Sequence, residues 1–371
     1  MTKRKILLVT ERRADYSRFK PILDLLKSDD RFSYCLTVTG LHLLESHGFT
    51  INEIISDGFN ISHKFEMFLE DQDTTGSMVR SLAKAIDKLS ILIESEEPDI
   101  ILSGFDIAAN LAITIAGAHM NVPVAHIQGG EVSGTIDESI RHAMSKFSHY
   151  HFAANEDAKN RLIAMGERED RVFNVGCPSI DALLQIEDDP DTLEKFKVSA
   201  PFYLVLQHPV TTEFKKVKKQ MIETLKALES LEEDVLIVLS NNDAGYSAMM
   251  KEVKKTKFKT VETLSIDDYV NLLKRSEALI GNSSSGIHET NTFNVPTINI
   301  GTRQNARLRS NNIIDVGHNS LDILKGIKKS KEIKGKEFPK LYGKGNSSKK
   351  ILNLLNEISL DPSVVQKMIT Y

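Results

Sequence analysis

Residues that could carry acid–base chemistry collect in the segment AHIQGGEVSGTIDESIRHA, which begins as the end of an apolar run and finishes as a charged amphipathic stretch. His126, Gln128 and Glu131 fall where a predicted buried strand gives way to a loop. Asp137 and Arg141 follow on a predicted helix, four residues apart, so they share a face and can pair. A pair of this kind is usually structural. Because this pair lies beside the polar groups at the strand end, it could also line a ligand-binding cleft. The sequence leaves both roles open.

A second group of residues, in the segment GNSSSGIHE, suits an anion. A predicted strand ends before it, small residues let the backbone approach a ligand, and a helix begins within it. Free N–H groups at the helix start, with the hydroxyl groups of Ser283 and Ser284, would form a phosphate cradle. The alternative is that one serine simply caps the helix. Glu289, one turn further, could accept hydrogen bonds from a ribose diol or could be a surface carboxylate.

Further polar residues directly follow other predicted strands. Arginine suits phosphate oxygens because its guanidinium group presents a fork of donors. The candidates for a diphosphate are therefore Arg12, Arg13, Ser17 and Arg303. The candidates for contact with the rest of a ligand are Asp106, His208 and Asn241. Asp106 opens a predicted helix, so capping is the competing role for its carboxylate.

The elements that must position these residues repeat along the chain. Continuously apolar short runs alternate with amphipathic stretches, which is typical of parallel strands covered by helices on both faces. Strands are predicted at 5–10, 33–40, 99–104, 123–129, 150–155 and 172–176, and again at 201–209, 235–243, 259–265, 278–284 and 296–301. Helices are predicted at 18–28, 74–95, 106–120, 138–147 and 156–165, and then at 212–230, 244–255, 266–276 and 285–292.

The repeated pattern predicts an α/β protein made of two doubly wound domains. The polar segment 176–201, which contains three prolines, is the predicted link, so the domains are placed at 1–178 and 179–352. In such sheets, ligands bind outside the carboxyl ends of the strands. Most of the candidate residues follow strands at these ends, and a cleft between the two domains is the expected binding place.

Composition excludes several functional classes. The 371 residues are 41% hydrophobic, enough for two cores, and the net charge of −4 gives no basic excess for nucleic acid or a membrane surface. Cys35 and Cys177 show neither a disulfide framework nor zinc-ligand spacing, and no dinucleotide or P-loop fingerprint is present. The Asp-x-Asp pattern in EDQDTT (70–75) is weak, so neither a metal nor a cofactor is predicted. The short apolar run at the N-terminus is unlike a signal peptide, and a cytoplasmic protein is expected.

The motifs together resemble the hydrolysing UDP-N-acetylglucosamine 2-epimerase family, and the likeness covers nearly the whole chain. The matching stretches are RADYS (13–17), GGEVSGTID (129–137), SIRHA (139–143), GCPS (176–179), LQHPVTT (206–212), NDAG (242–245), IGNSS (280–284) and GTRQ (301–304). The resemblance implies the GT-B architecture, which is two Rossmann-like domains with a nucleotide sugar in the cleft between them. It also implies a C-terminal helix (353–371) returning to the first domain, no metal or nicotinamide, and a homodimer or homotetramer.

The resemblance also assigns residues. Those implied to contact the nucleotide are Arg13, Ser17, His208, Asn241, Leu264, Ser283, Ser284, Glu289 and Arg303. The implied catalytic set around the sugar is Asp106, Glu131, Asp137, Arg141 and His208, with His42, His126 and Gln128 added as substrate-binding residues. In the implied reaction a base removes the proton at C2, UDP leaves C1 to give a glycal, and water adds with protonation of the opposite face of C2. Asp106 and His208 are the expected proton-transfer residues, in an order left open.

Four positions depart from the family pattern. Family members commonly read GDR around the aspartate, whereas this chain reads FDI with Ile107 in place of the arginine. Many relatives have glutamate where this chain has Gln128, and a glutamine cannot act as a general base. The Lys-His pair of the animal enzyme's regulatory site falls on Glu262 and Thr263, so that regulation is not expected.

The principal hypothesis is an enzyme that converts UDP-N-acetylglucosamine into UDP and N-acetylmannosamine. Gln128 and Ile107 favour a variant that acts on a UDP- or GDP-2,4-diacetamido-2,4,6-trideoxy sugar, on the route to legionaminic acid. A GT-B glycosyltransferase and a non-catalytic nucleotide-sugar binder are the competing classes. A transferase would release UDP only with an acceptor, and a binder would release none.

Overall fold

The computed structural model describes residues 3–68, 74–133, 136–239 and 245–370. These residues divide into two compact units. The first contains the described residues up to Val132, then Asp137–Ala182, and those from Tyr342 onward. The second contains the described residues of the range Ser133–Ile136 and of Leu183–Leu341.

The first unit is built on a parallel sheet whose described strands run in the order β3-β2-β1-β4-β5-β6-β7. The strands are β1 Arg4–Thr10, β2 Phe32–Val38, β3 His63–Lys64, β4 Ile100–Gly104, β5 Val124–Ile127, β6 Tyr150–Ala153 and β7 Val172–Asn174. The order reverses between β1 and β4, which are paired neighbours. In doubly wound sheets, this reversal marks the place where ligands bind.

The second unit repeats this topology with the described order β10-β9-β8-β11-β12-β13, again all parallel. Its strands are β8 Phe202–Leu206, β9 Asp234–Val238, β10 Lys259–Val261, β11 Leu279–Gly281, β12 Thr297–Ile300 and β13 Ile313–Val316. The reversal lies between β8 and β11. Two Rossmann-like units of this kind are the components of the predicted GT-B-like fold.

Helices connect the strands of both units. They are α1 Arg13–Ser28, α2 Ile51–Ser56, α3 Thr75–Glu96, α4 Ala108–His119, α5 Ile136–Phe147, α6 Glu156–Ala164, α7 Pro178–Leu184, α8 Thr192–Lys195, α9 Val217–Leu228, α10 Tyr246–Val253, α11 Ile266–Arg275, α12 Ser285–His288, α13 Ser320–Ile333 and α14 Ser347–Glu357. In the part of the chain that the structure describes, no helix is both long and apolar enough to cross a bilayer.

The continuous apolar runs of the strands are explained by helices on both faces. In β1, Ile6 and Leu8 point into one core, which also contains Ile351 and Leu355 of α14. Leu7, the intervening residue, joins the opposite core with residues of α3 and α4. Because successive side chains of a strand alternate between faces, a strand buried on both sides is apolar at every position.

Several predicted elements differ from the structure. Strands β3 and β13 and helix α13 were not predicted, since β3 consists of only two polar residues and β13 is short and half-exposed. The predicted link at 176–201 contains two helices, α7 and α8. The predicted strand 123–129 ends at Ile127, because the backbone of Gln128 turns into the left-handed region.

Candidate active site

Arg141 is the centre of a charged cluster in the first unit. Its side chain is fully buried, and its guanidinium group donates to the carboxylate of Asp106 and, at 3.0 Å, to the backbone carbonyl of Glu131. Desolvation lowers the pKa of Arg141, but the charges of Asp106, Glu131 and Asp137 outweigh it and raise the pKa above its ordinary value. Arg141 of α5 therefore joins this helix to the residues that follow β4 and β5 through a permanently charged group.

The backbone before Asp106 is held in an unusual conformation. Phe105 has a φ of +71°, in the left-handed region that residues with a side chain seldom occupy. Its N–H donates to the carbonyl of Ile127 at 3.1 Å, and its own carbonyl lies 3.3 Å from Nε2 of His126. The guanidinium group of Arg18 stacks over the Phe105 ring, 4.9 Å from its centre. Strain maintained by so many contacts is typical of functional sites, and here it fixes the direction of the Asp106 carboxylate.

His126 is buried and has protein partners on both ring nitrogens. Because the carbonyl of Phe105 can only accept, Nε2 carries the proton, and Nδ1 lies 3.2 Å from the hydroxyl of Ser145. Ser145 in turn lies on α5 and contacts the carbonyl of Arg141 at 3.1 Å. Burial, together with the nearby charge of His151, lowers the pKa of His126 to about 3, so the ring is neutral. In this position His126 orients the backbone beside Asp106, and its contact with substrate stays a prediction.

Gln128 leaves β5 with a φ of +59° and is only 3% exposed. Its carboxamide oxygen has no hydrogen-bond partner among the described residues. A buried polar atom without a partner is costly, so the position is suited to a hydrogen bond from a ligand. Close packing continues at Gly130, where a Cβ atom would come within 2.3 Å of the carbonyl of Ala158.

The loop after β1 is fixed by two buried carboxylates. Glu11 accepts a hydrogen bond of 2.8 Å from the N–H of Ala109, in the first turn of α4. Asp15 accepts from the N–H groups of Glu11 and Arg12 at 2.9 and 2.8 Å. Burial raises the pKa of Asp15 to about 6. These contacts tie the start of α1 to the start of α4 at the reversal of the sheet.

The other predicted binding residues of this unit have partners within the protein. Arg13 forms an ion pair with Glu53 of α2, and the Ser17 hydroxyl donates to the carbonyl of Ala14 at 3.2 Å. His42 is buried with Thr10 and Thr50 on its two ring nitrogens, and burial, aided by the charge of Arg13, lowers its pKa to about 3. Their contacts with a nucleotide stay predictions.

In the second unit, Asn282 connects three loops. It directly follows β11, and its side-chain amide accepts from the N–H of His208 at 2.7 Å and donates to the carbonyl of the same residue at 2.9 Å. The backbone carbonyl of Asn282 accepts from Arg303 at 3.2 Å and from Gln304 at 2.8 Å. His208, the serine segment and the arginine loop are therefore held together at the carboxyl ends of β8, β11 and β12.

The serine segment needs the glycine before it. Gly281 has a φ of +142°, and a Cβ atom there would lie 1.9 Å from the carbonyl of Leu206. Ser283 and Ser284 then lead into α12, a single turn, and the Ser283 hydroxyl accepts a long bond from the N–H of Ser285. Ser284, the N-cap residue of α12, makes no side-chain capping hydrogen bond, so the serine cap offered as the alternative to phosphate binding does not form there.

The remaining predicted residues lie around this edge or outside the described part. Arg303 is partly buried, and its neighbour Thr302 donates to Glu213 at 2.5 Å. Leu264 packs against the apolar core of the unit, and Glu289 ends the turn of α12. Asn241 and the Asp-x-Asp pattern, Asp71 and Asp73, lie outside the described residues.

The structure thus brings Asp106, Glu131, Asp137 and Arg141 together in one unit, and His208 and Arg303 in the other. Sequence reasoning missed Arg18, Ser145 and Asn282. Asn282 stands within the matched stretch IGNSS, and its place directly after a buried strand was the one available signal.

The model of the UDP-N-acetylglucosamine 2-epimerase family matches residues 24–356 of the chain. The chain belongs to this family. Membership in the UDP-N-acetylglucosamine 2-epimerase family makes the chain a UDP-sugar 2-epimerase and confirms the resemblance drawn from the motifs.

Two relatives and one solved structure illustrate the likeness to the family. A UDP-N,N'-diacetylbacillosamine 2-epimerase (hydrolyzing) of Legionella pneumophila is 34% identical over 99% of this chain and 100% of its own length. A UDP-N-acetylglucosamine 2-epimerase of Neisseria meningitidis serogroup B is 31% identical over 88% of this chain and 87% of its own. The UDP-GlcNAc 2-epimerase of Methanocaldococcus jannaschii, solved in complex with UDP-GlcNAc and UDP, superposes with a TM-score of 0.81, at 20% identity, over 96% of this chain and 99% of that one. This superposition confirms the GT-B-like fold.

Proposed function

We propose that the chain is a hydrolysing 2-epimerase of a UDP-linked 2,4-diacetamido-2,4,6-trideoxy sugar, releasing UDP and the free 2-epimer. The observation that carries the proposal is the buried Arg141 cluster, in a chain whose family acts on UDP-sugars. The catalytic set remains Asp106, Glu131, Asp137, Arg141 and His208.

In this mechanism, Arg141 holds the carboxylate of Asp106 in a fixed direction. The Asp106 carboxylate, held by the buried Arg141, can accept the C2 proton as the diphosphate leaves C1. The charge that develops on the departing diphosphate needs donors, and Arg303 with the serine segment is the proposed source. His208 stays the sequence-based candidate for the second proton transfer.

Two residues support the diacetamido sugar as the substrate: Ile107, which follows Asp106, and Gln128, which follows β5. Ile107 is buried in the apolar core where many relatives carry an arginine, so the neighbourhood of Asp106 has one cation fewer. Gln128 presents a neutral, unpartnered carboxamide oxygen instead of a carboxylate. Such an oxygen accepts an amide N–H, and a second acetamido group provides one more N–H than UDP-N-acetylglucosamine does. The relative named for the diacetyl sugar also matches the chain at higher identity and over more of its length than the Neisseria relative.

UDP-N-acetylglucosamine is the second candidate substrate, supported by the family description and by the relative from Neisseria. Both UDP-sugars should be offered to the purified chain, with UDP release and the free sugar measured separately. We expect kcat/KM at least about 100-fold higher for the diacetamido sugar, the range that a buried polar contact can discriminate. The opposite preference would reject the proposed sugar while leaving the reaction class intact. Asp106→Asn should lose activity on both.

We further propose that the enzyme needs neither a metal nor an organic cofactor for this reaction and works in the cytoplasm as a homodimer or homotetramer. Activity after exhaustive dialysis against a chelator tests the first point. Light scattering on the eluted protein measures the number of chains per particle.

A further inference from the structure

A cluster of three metal-binding side chains lies in the first unit, apart from the residues discussed so far. The Sγ atom of Cys35, a ring nitrogen of His63 and a carboxylate oxygen of Glu96 all lie within 4.8 Å of one another. Across the described ranges, no other group of three His, Cys, Asp or Glu residues meets this condition. We propose that these three side chains bind a zinc ion.

The cluster lies on a different part of the sheet from the candidate active site. Cys35 is in the middle of β2, His63 begins the edge strand β3, and Glu96 is the last residue of α3. Glu96 contacts Lys5 near the amino end of β1, whereas Asp106 follows the carboxyl end of β4. A bound ion would therefore join a two-residue edge strand to helix α3 and would take no part in the epimerisation.

The donor set suits zinc. Thiolate, imidazole and carboxylate are the three ligand types that zinc accepts in proteins. Magnesium and calcium prefer all-oxygen sites, so a buried thiolate excludes them. The side chains of His63 and Glu96 are 37% and 22% exposed, which leaves the fourth tetrahedral position open to water.

The donor atoms, all within 4.8 Å of one another, would have to move to the separations that zinc requires. Tetrahedral bonds of about 2.0–2.3 Å separate the donor atoms by roughly 3.3–3.7 Å. Nε2 of His63 and Oε1 of Glu96 are 2.5 Å apart and share a proton, so they would separate by roughly 1 Å as the ion takes the place of that proton. The displaced proton exchanges through solvent to Nδ1 of the same ring, which stays neutral. The other Glu96 oxygen is already held by Lys5 at 2.6 Å. The Cys35 thiol releases its proton to solvent as the sulfur–zinc bond forms.

The test is metal binding by the full-length chain after chelator treatment. Calorimetry should find one Zn²⁺ per chain, and Co²⁺ in its place should give a thiolate-to-metal charge-transfer absorption. Cys35→Ser should abolish that absorption and weaken zinc binding by more than roughly 100-fold, the upper end of what a mere second-shell change costs. Cys177→Ser alters the other buried cysteine and should leave both measurements unchanged.

A wild-type chain that binds no stoichiometric zinc would overturn the proposal, and so would a Cys35→Ser variant that binds it equally well. Because Cys35 is buried, His63→Gln at the exposed side of the cluster provides a second variant with the same expected loss of affinity. Zinc should also raise the thermal midpoint of the wild type and not of these two variants. Epimerase turnover in chelator should be unchanged, so failure here is distinguishable from failure of the proposed function.

Discussion

Replacing Arg141 with methionine should destabilise the first unit more than any other single change in the candidate site. The methionine fills similar volume but leaves the carboxylates of Asp106, Glu131 and Asp137 without their shared cation. Removing one partner of a buried ion pair costs about 3–5 kcal/mol. We expect the free energy of unfolding of the first unit to fall by an amount in this range. We also expect kcat to fall by about 10²–10³-fold, because Asp106 is no longer oriented.

The interaction itself can be isolated by a double-mutant cycle of Arg141→Met and Asp106→Asn. Two unit charges about 4 Å apart interact by roughly 4 kcal/mol at an effective dielectric constant of 20. The Asp106 side chain is 23% exposed, and solvent screening reduces the expected coupling to about 2–3 kcal/mol. The double variant should therefore lose about 2–3 kcal/mol less than the sum of the losses of the two single variants.

Hydrogen exchange is the suitable assay because the chain has two units, and a global unfolding curve would mix them. The amides of β4, in the core of the first unit, report its opening free energy. Arg141→Lys is the control. Lysine keeps the charge and loses one of the two hydrogen bonds, so the opening free energy of the first unit should fall by only about 1 kcal/mol. Additive single effects, with a coupling below roughly 0.5 kcal/mol, would show that Arg141 and Asp106 do not stabilise each other.

Three further changes probe other parts of the account. Asn282→Ala should lower kcat/KM by about 10–100-fold, because the side chain of Asn282 holds the loop of His208 in place. Asn305→Ala, at an exposed position, is the control and should leave kcat/KM unchanged; steady-state kinetics on both variants tests this. Lys367→Met should lower the opening free energy of the β6 amides by about 2–3 kcal/mol, because Lys367 forms an ion pair with the buried Glu167. Hydrogen exchange measures this free energy, and an unchanged value would contradict the prediction. The pKa of Asp15 is raised to about 6, so the contribution of Asp15 to stability is full below its unfolded pKa and is lost as pH rises through 6. Relative to Asp15→Asn, the stability of the wild type should fall by about 2–3 kcal/mol between pH 4 and 7, and a difference that does not change with pH would disprove this.

Much of the fold follows from one property of the sequence. Strands buried on both faces are apolar at every position, so runs such as the one around Leu7 stand out between amphipathic helices. Strand β3 lacks this property because it lies at an edge and consists of His63 and Lys64. The predicted ends of some strands lie beyond the observed ends, because polar residues continue the strand pattern. Gln128 is an example: the chain leaves β5 there because its backbone is in the left-handed region, which the sequence pattern does not reveal.

Residues of the candidate site could be predicted from the sequence where the chemistry requires a particular residue type. They could not be predicted where a residue matters only because of the place that the fold gives it. A carboxylate or histidine after a strand is recognisable, which is how Asp106 and His208 were selected. Asn282 is an ordinary loop residue until the fold places its amide against the backbone of a neighbouring loop. Cys35, His63 and Glu96 are far apart in sequence, so spacing gave no sign of a metal site.

The most direct test of the central claim is the reaction itself, run in deuterated water with the UDP-linked diacetamido sugar. We predict UDP and a free sugar that is inverted at C2 and carries one deuterium at that carbon. Arg141→Met should form the same product far more slowly. Release of UDP with an uninverted, undeuterated sugar would contradict the account, because simple hydrolysis at C1 needs neither a base at C2 nor the cluster around Arg141.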